Sequence, residues 1–160
     1  MRISLTTIAA IALSALAGAR AIAQAPNSVG PEVSVLRPNP NTLVYQAGPD
    51  GHFVVPGSAN GAPIRFLVDT GATLVMLTPS DARAAGIDPS TLTFNAAMRT
   101  ANGTVPAATT VLREVRVGGI SIGDVRAAII PKAPQSVLGM SFLSRLKSFE
   151  MRQDRLTLSW

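Results

Sequence analysis

Phe66-Leu67-Val68-Asp69-Thr70-Gly71-Ala72-Thr73 is the stretch on which the reading of this chain turns. An apolar strand ends on an aspartate, and Thr-Gly follows at once, so a carboxylate sits where the backbone must bend sharply. Glycine there permits a tight turn and a close approach by a neighbouring segment. Asp69-Thr70-Gly71 occurs once, and no Asp-Ser-Gly accompanies it. The plain alternative is a turn aspartate hydrogen-bonded to its own backbone.

Outward from this stretch the chain is dense in strand and turn signals. Ala62 to Val68 leads into Asp69 as a strand. Before it, His52 to Val55 is apolar and β-branched, and Asn60-Gly61 predicts a two-residue hairpin loop. After it, Leu74 to Leu77 reads as a short strand. Thr78-Pro79-Ser80-Asp81 predicts a helix start, with Thr78 as N-cap, proline at the first helical position and an acid in the first turn; Gly86 ends that helix. Met98 to Ala101, Asn102-Gly103 and Thr104 to Leu112 form a second hairpin. Val115 to Val117, Gly118-Gly119 and Ile120 to Ile122 form a third. Val125 to Ile130 and Ser136 to Leu138 are further strands, Met140 to Leu146 suits a short helix, and Leu156 to Trp160 a terminal strand. The expectation is an all-β domain over 51–160 with one or two short helices. A weak internal echo relates the strand Ile64–Val68 with Asp69-Thr70-Gly71 to the strand Val125–Ile130 with Val137-Leu138-Gly139.

Composition agrees with this class. Twelve prolines and thirteen glycines imply many short elements joined by turns, and a 47% hydrophobic content with few aromatics implies an aliphatic core. No cysteine is present, which excludes thiol catalysis, thiolate metal sites and disulfides. The net charge of +5 comes from 14 Lys and Arg against 9 Asp and Glu, with the basic residues scattered singly. Nucleic-acid binding needs clustered charge facing phosphates, so no nucleic-acid partner is expected.

The N-terminus argues for export. Met1-Arg2 precedes an uncharged Ala-rich run from Ile3 to Ala19, and small residues lead to Gln24-Ala25-Pro26. This is the layout of a secretory signal over 1–23, with cleavage after Ala21-Ile22-Ala23. The alternative is an uncleaved inner-membrane anchor over 3–19, at the short limit for a span. Residues 24–50 carry five prolines and little hydrophobic periodicity, which reads as a flexible arm with a short strand at Thr42 to Gln46.

The context of Asp69 resembles the retropepsin-like aspartic proteases of bacteria, the single-lobed relatives of retroviral protease and pepsin. Apolar residues precede the aspartate, Ala72-Thr73 follows, and the apolar bend Val137-Leu138-Gly139 comes about seventy residues later, before a helix. The similarity extends over 51–160 and includes Thr100-Ala101-Asn102-Gly103 and Leu138-Gly139-Met140-Ser141-Phe142-Leu143. It implies a retropepsin-like acid-protease barrel and an aspartic endopeptidase acting on peptide or protein substrates, with no cofactor and no metal. Asp69 would be the catalytic carboxylate, with Thr70, Gly71 and Ala72 forming the active-site loop against substrate. Thr100 to Gly103 would form a flap closing over the cleft, though an ordinary surface hairpin would look the same. Such chemistry takes two facing carboxylates sharing one proton. With one Asp-Thr-Gly per chain, the second Asp69 is expected from another copy in a two-fold homodimer. The chain ends of viral relatives join a dimer sheet, so Leu156 to Trp160 is expected either there or as a plain edge strand. A catalytically inactive peptide-binding or dimerisation module is the alternative function, and a non-enzymatic envelope β-sandwich a third.

Other signals carry less. His52 is the sole histidine, and Gly139-Met140-Ser141-Phe142-Leu143 lacks the closing glycine of a nucleophile elbow. No His, Cys or acid cluster has metal-ligand spacing. Gly118-Gly119 lacks the Lys-Ser or Lys-Thr of a phosphate loop and reads as a turn. Asp124 and Asp154 fall in turns rather than at a strand exit.

Overall fold

The computed structural model describes residues 40–100 and 103–160. The leader expected over 1–23, with its anchor alternative over 3–19, lies outside the described residues. So do the arm up to residue 39 and the pair Ala101-Asn102 at the second hairpin.

The first hairpin forms where Asn60-Gly61 places it. Asn60 at φ 49 and Gly61 at φ 90 both occupy the left-handed region that a two-residue loop of this kind demands. They join β2 (Val54–Ala59) to β3 (Ala62–Val68). β4 (Val75–Leu77) then runs into α1 (Pro79–Ala84), where the Thr78 hydroxyl accepts the Asp81 amide at 3.1 Å and Gly86 turns the chain out at φ 77. One 3-10 turn over Pro89–Thr91 leads to β5 (Ala96–Thr100). β6 (Gly103–Val117) and β7 (Ile120–Ile129) follow as a long hairpin, then β8 (Ser136–Leu138), α2 (Met140–Leu143), β9 (Ser148–Arg152) and β10 (Arg155–Ser159). β1 (Thr42–Gln46) precedes them all.

Six strands close into a barrel in the order β2-β3-β8-β4-β7-β6, and β6 returns to β2 through Ser58↔Arg116 and Ala59↔Val115. The side-chain period of two fills its interior: β3 buries Ile64, Phe66 and Val68 while exposing Pro63 and Arg65. Val55, Phe66, Leu77, Leu112, Ile129 and Leu138 are wholly buried there. Burying each such side chain stabilises the fold by about 1.5–3 kcal/mol. The core is mostly aliphatic, as the composition implied, and the fold is the all-β barrel with short helices that was expected.

The internal echo is structural. β3 pairs with β8 in parallel, β4 pairs with β7 in parallel, and β4 meets β8 antiparallel at Met76↔Val137. Exchanging β3 and β4 with β7 and β8 reproduces the same set of pairings, and each half ends in a short helix. Only the first half carries an aspartate at its bend.

Four details differ from the sequence expectations. β6 runs unbroken through Arg113-Glu114, where two separate strands were expected. The amides of both residues donate to Asn60 Oδ1, at 2.8 and 3.4 Å, and Asn60 N–H donates back to the Glu114 carbonyl at 2.9 Å, which stitches the strand to the first hairpin loop. The second helix stops at Leu143 rather than Leu146; the Ser144 hydroxyl there donates to the Met140 carbonyl at 2.6 Å. β9 was not anticipated. It makes β10 the middle strand of a three-stranded sheet β1-β10-β9, so the terminal strand is not an edge and has both sides paired within its own chain. Finally, β7 runs unbroken through Gly123-Asp124, where two strands separated by a turn were expected, while the short strand expected at Thr42 to Gln46 forms as β1.

Gly118 and Gly119 seat this small sheet on the barrel. A Cβ at Gly118 would stand 2.6 Å from Leu43 Cδ1, and one at Gly119 3.0 Å from Trp160 Cζ2, so the side chains of β1 and of the C-terminal residue pack closely on this turn. Among the described residues, no helix is long and apolar enough to cross a membrane.

Candidate active site

Asp69 owes its position to the parallel pairing of β3 with β8. Val68 lies opposite Leu138, and the Asp69 amide continues the ladder by donating to the Leu138 carbonyl at 3.2 Å. The chain then turns: the Ala72 amide reaches back to the Asp69 carbonyl at 3.2 Å, and the Gly71 amide donates to Asp69 Oδ1 at 2.8 Å. That last bond is the local one a turn aspartate makes. Among the described residues, the other carboxylate oxygen has no hydrogen-bond partner.

The far side of the loop is clamped to α2. Met140 and Ser141 amides donate to the Ala72 and Thr73 carbonyls at 2.7 and 2.9 Å. The Ser141 hydroxyl accepts the Val75 amide at 2.9 Å and donates to the Arg126 carbonyl at 2.7 Å, joining the loop to β7. Gly139 is buried between these contacts with no room for a side chain. The bend Val137-Leu138-Gly139, expected as a structural bend echoing the Asp69 turn, is the support on which the Asp69 loop rests.

Support and loop tip differ in exposure. Val68, Leu138 and Gly139 are buried, whereas Asp69, Thr70 and Gly71 are exposed and Ala72 is half-buried. The Thr70 hydroxyl has no partner among the described residues. A second buried polar cluster lies nearby but is self-satisfied: Ser136 Oγ donates to Asp81 Oδ2 at 2.5 Å and accepts the Thr78 amide at 3.1 Å. It ties α1 to β8, so Asp81 acts as a structural acid.

Asp69, Gly71, Ala72 and Thr73 form one side of a cleft of about 1240 Å³. Met76, Ile130 and Val137 add apolar surface, and the loop from Pro131 to Gln135 makes one wall. The β5–β6 hairpin overhangs it through Met98 and Val105, which pair across the strands. Thr100 pairs with Gly103 at the tip of that hairpin, where Gly103 sits at φ 103. Among the described residues, Asp69 is the only carboxylate in the lining. His52 lies elsewhere, exposed, with its amide on Asp50 Oδ1 at 3.1 Å. Among the described residues, no three His, Asp or Glu side chains gather in a way that could hold a metal ion.

Sequence reasoning missed Ser141, the Met76–Met98–Val105 surface and the 131–135 wall. One signal for Ser141 was present: it is the only polar residue in the run Val137–Leu143, and a buried hydroxyl there must find partners. The walls carry no local signal, because tertiary folding alone brings them together.

A family model for aspartyl proteases matches residues 55–142, which hold the Asp69 loop, both barrel hairpins and the Gly139 bend. Over 118 residues the chain is 42% identical to a Sinorhizobium protein described as an uncharacterized protein in the cobV 5′ region. That match covers 72% of this chain and 51% of the other, so the chain spans about half the relative's length. The crystal structure of a retropepsin-like aspartic protease from Rickettsia conorii superposes with a TM-score of 0.68 at 33% identity, over 74% of this chain and 90% of that one. EIAV protease, complexed with the inhibitor HBY-793, gives 0.52 at 20% identity over 62% and 91%, a likeness of fold alone. Match length, identity and superposed fold agree, and the chain belongs to the retropepsin-like branch of the aspartyl protease family.

Proposed function

We propose that the chain is an aspartic endopeptidase that becomes competent as a homodimer, each copy contributing one Asp69. One observation carries this reading: among the described residues, Asp69, with an unpartnered carboxylate oxygen, is the sole acid lining a peptide-sized cleft, and it stands exposed at a loop tip whose supports are buried. A second copy facing it across a two-fold axis supplies the missing carboxylate.

Two carboxylates about 3 Å apart share one proton, since both cannot ionise at that distance. The ionised member takes a proton from a water lodged between them as the water oxygen attacks the scissile carbonyl carbon. The protonated member gives its proton to the carbonyl oxygen. The tetrahedral diol then collapses, the C–N bond breaks, and a proton passes to the leaving nitrogen. Thr70, exposed and without a side-chain partner among the described residues, braces its counterpart loop. Gly71 and Ala72 present backbone to the substrate, and the β5–β6 hairpin serves as a flap excluding water. The N-terminal residues suggest an exported chain, cleaved after Ala23 or held at the membrane through 3–19, with the folded domain beyond the arm.

Asp69→Asn tests the mechanism. The parent should cleave extended peptides with a bell-shaped pH profile belonging to the pair of carboxylates, and the variant should lose cleavage while keeping its circular dichroism spectrum. A variant that cleaves as fast as the parent excludes the mechanism. Peptides that bind the parent and persist at every acidic and neutral pH favour an inactive binding module.

A further inference from the structure

The cleft is apolar at its centre and basic at its margin. Arg99 and Lys132 both line it and are exposed, and neither forms an ion pair among the described residues. The ion pairs found there, Arg116–Glu114 and Arg152–Glu150, lie outside the cleft lining. Among the described lining residues, Asp69 is the single acid against these two cations.

Neither cation hangs from a loose segment. Lys132 sits in a turn closed by the Ala133 amide on the Ile130 carbonyl at 3.2 Å, with Pro131 before it and Pro134 after. Proline fixes its own φ, which stiffens the turn. Ile130 is buried, and Ala133 packs on the small cluster formed by Leu74, Ala107, Ala128 and Ile130. Arg99 lies in β5 paired with Thr104, next to Met98, which packs on the same cluster. Met98 gives the hairpin its apolar underside, and Arg99 beside it also reaches the cleft lining. In a two-fold pair, four such cations would surround a dyad that carries one net negative charge.

We infer that the cleft selects extended peptides that carry an acidic side chain, Asp or Glu, flanking the apolar residues at its centre, with Lys132 and Arg99 as the specificity-determining residues. This deepens the proteolytic reading and rests on it for the bound substrate's role, but the preference belongs to binding and can be measured without cleavage. Met76 and Met98 offer a deformable apolar surface that tolerates many side chains. The fixed charges therefore carry the discrimination.

The test uses an alanine-based peptide with a central Leu-Phe pair, in which one Glu or one Gln is moved through the flanking positions. Binding is measured by fluorescence anisotropy with Asp69→Asn, and cleavage with the parent chain. At one or more positions the Glu peptide should bind about two- to fivefold tighter than its Gln twin, the scale of an exposed charge pair. Added salt should shrink that ratio. Lys132→Gln with Arg99→Gln should bring it towards one, and Lys132→Glu alone should lower or reverse it. Equal binding of Glu and Gln peptides at every position, a ratio that persists in the double variant, or no measurable binding of any Glu peptide overturns the inference. A Glu preference in binding without cleavage by the parent leaves the inference standing and removes the proteolytic reading.

Discussion

Gly139 lies so close to Ala72 that a Cβ on it would stand 2.6 Å from the Ala72 carbonyl oxygen, and closer still to that of Leu74. Both neighbours are backbone, and Ala72 also accepts the Met140 amide at 2.7 Å. Neither can yield without moving the loop that carries Asp69. At φ −97 the Gly139 backbone suits any residue, so space rather than conformation demands glycine. Gly139→Ala should cost about 2 kcal/mol or more of stability, at the upper part of the range for overpacking. Chemical denaturation would measure it. A loss below about 0.5 kcal/mol would mean that the two bends are not in contact as described.

Ser141 holds the other end of the same loop. Its hydroxyl accepts from Val75, a wholly buried residue, and donates to the Arg126 carbonyl. Ser141→Ala leaves that buried amide unpaired, which costs about 1–3 kcal/mol. Amide hydrogen exchange should show Val75 losing protection more than the neighbouring strand residues do. If exchange at Val75 is unchanged, the hydroxyl is not its partner.

These two residues mark how far the sequence could be read. Asp69, Thr70 and Gly71 were legible because a carboxylate beside glycine at an apolar strand exit is a local pattern. So were Asn60-Gly61, Thr78-Pro79 and Gly86, where turn and cap chemistry acts within a few residues. Ser141 was not, because its partners Val75 and Arg126 are remote in sequence. The continuity of β6 was hidden for the same reason: Arg113-Glu114 looks like a break until Asn60 is seen to hold both amides. β9 was missed although Phe149 and Met151 alternate with Ser148, Glu150 and Arg152, because the run is short, charged and mostly exposed. Its strand character comes from pairing with β10.

Glu114 makes stability depend on pH in a defined window. Its hydrogen bond from Arg116, and secondarily one from the Ser121 hydroxyl, lower its pKa from an ordinary 4.5 to about 2. A folded value below the unfolded one means that the contribution is complete above about pH 4.5 and is lost as the pH falls towards 2. Glu114→Gln should therefore be slightly less stable than the parent at about pH 6, and the gap should close by about pH 2. Because the pair is exposed, the gap should be small and should narrow with salt. Denaturation midpoints of both chains across this range provide the check. A gap that widens on acidification would reverse the assigned sign.

On the proposed dimeric reading, the exposed Asp69 loop makes activity depend on concentration. If each chain carries half of the catalytic pair, the rate follows the amount of dimer. Below the dimer dissociation constant, specific activity should then fall in proportion to protein concentration rather than stay constant. Thr70→Ala separates this from folding. The Thr70 hydroxyl is exposed and has no partner among the described residues, so its loss should change the stability of the single chain by less than about 0.5 kcal/mol. If it braces the partner loop, the same change should weaken dimerisation and move the activity midpoint to higher concentration. Sedimentation velocity alongside a peptide assay would follow both quantities on one dilution series. Constant specific activity from a species that sediments as a monomer would require a second acid within one chain, and among the described residues the cleft lining holds none.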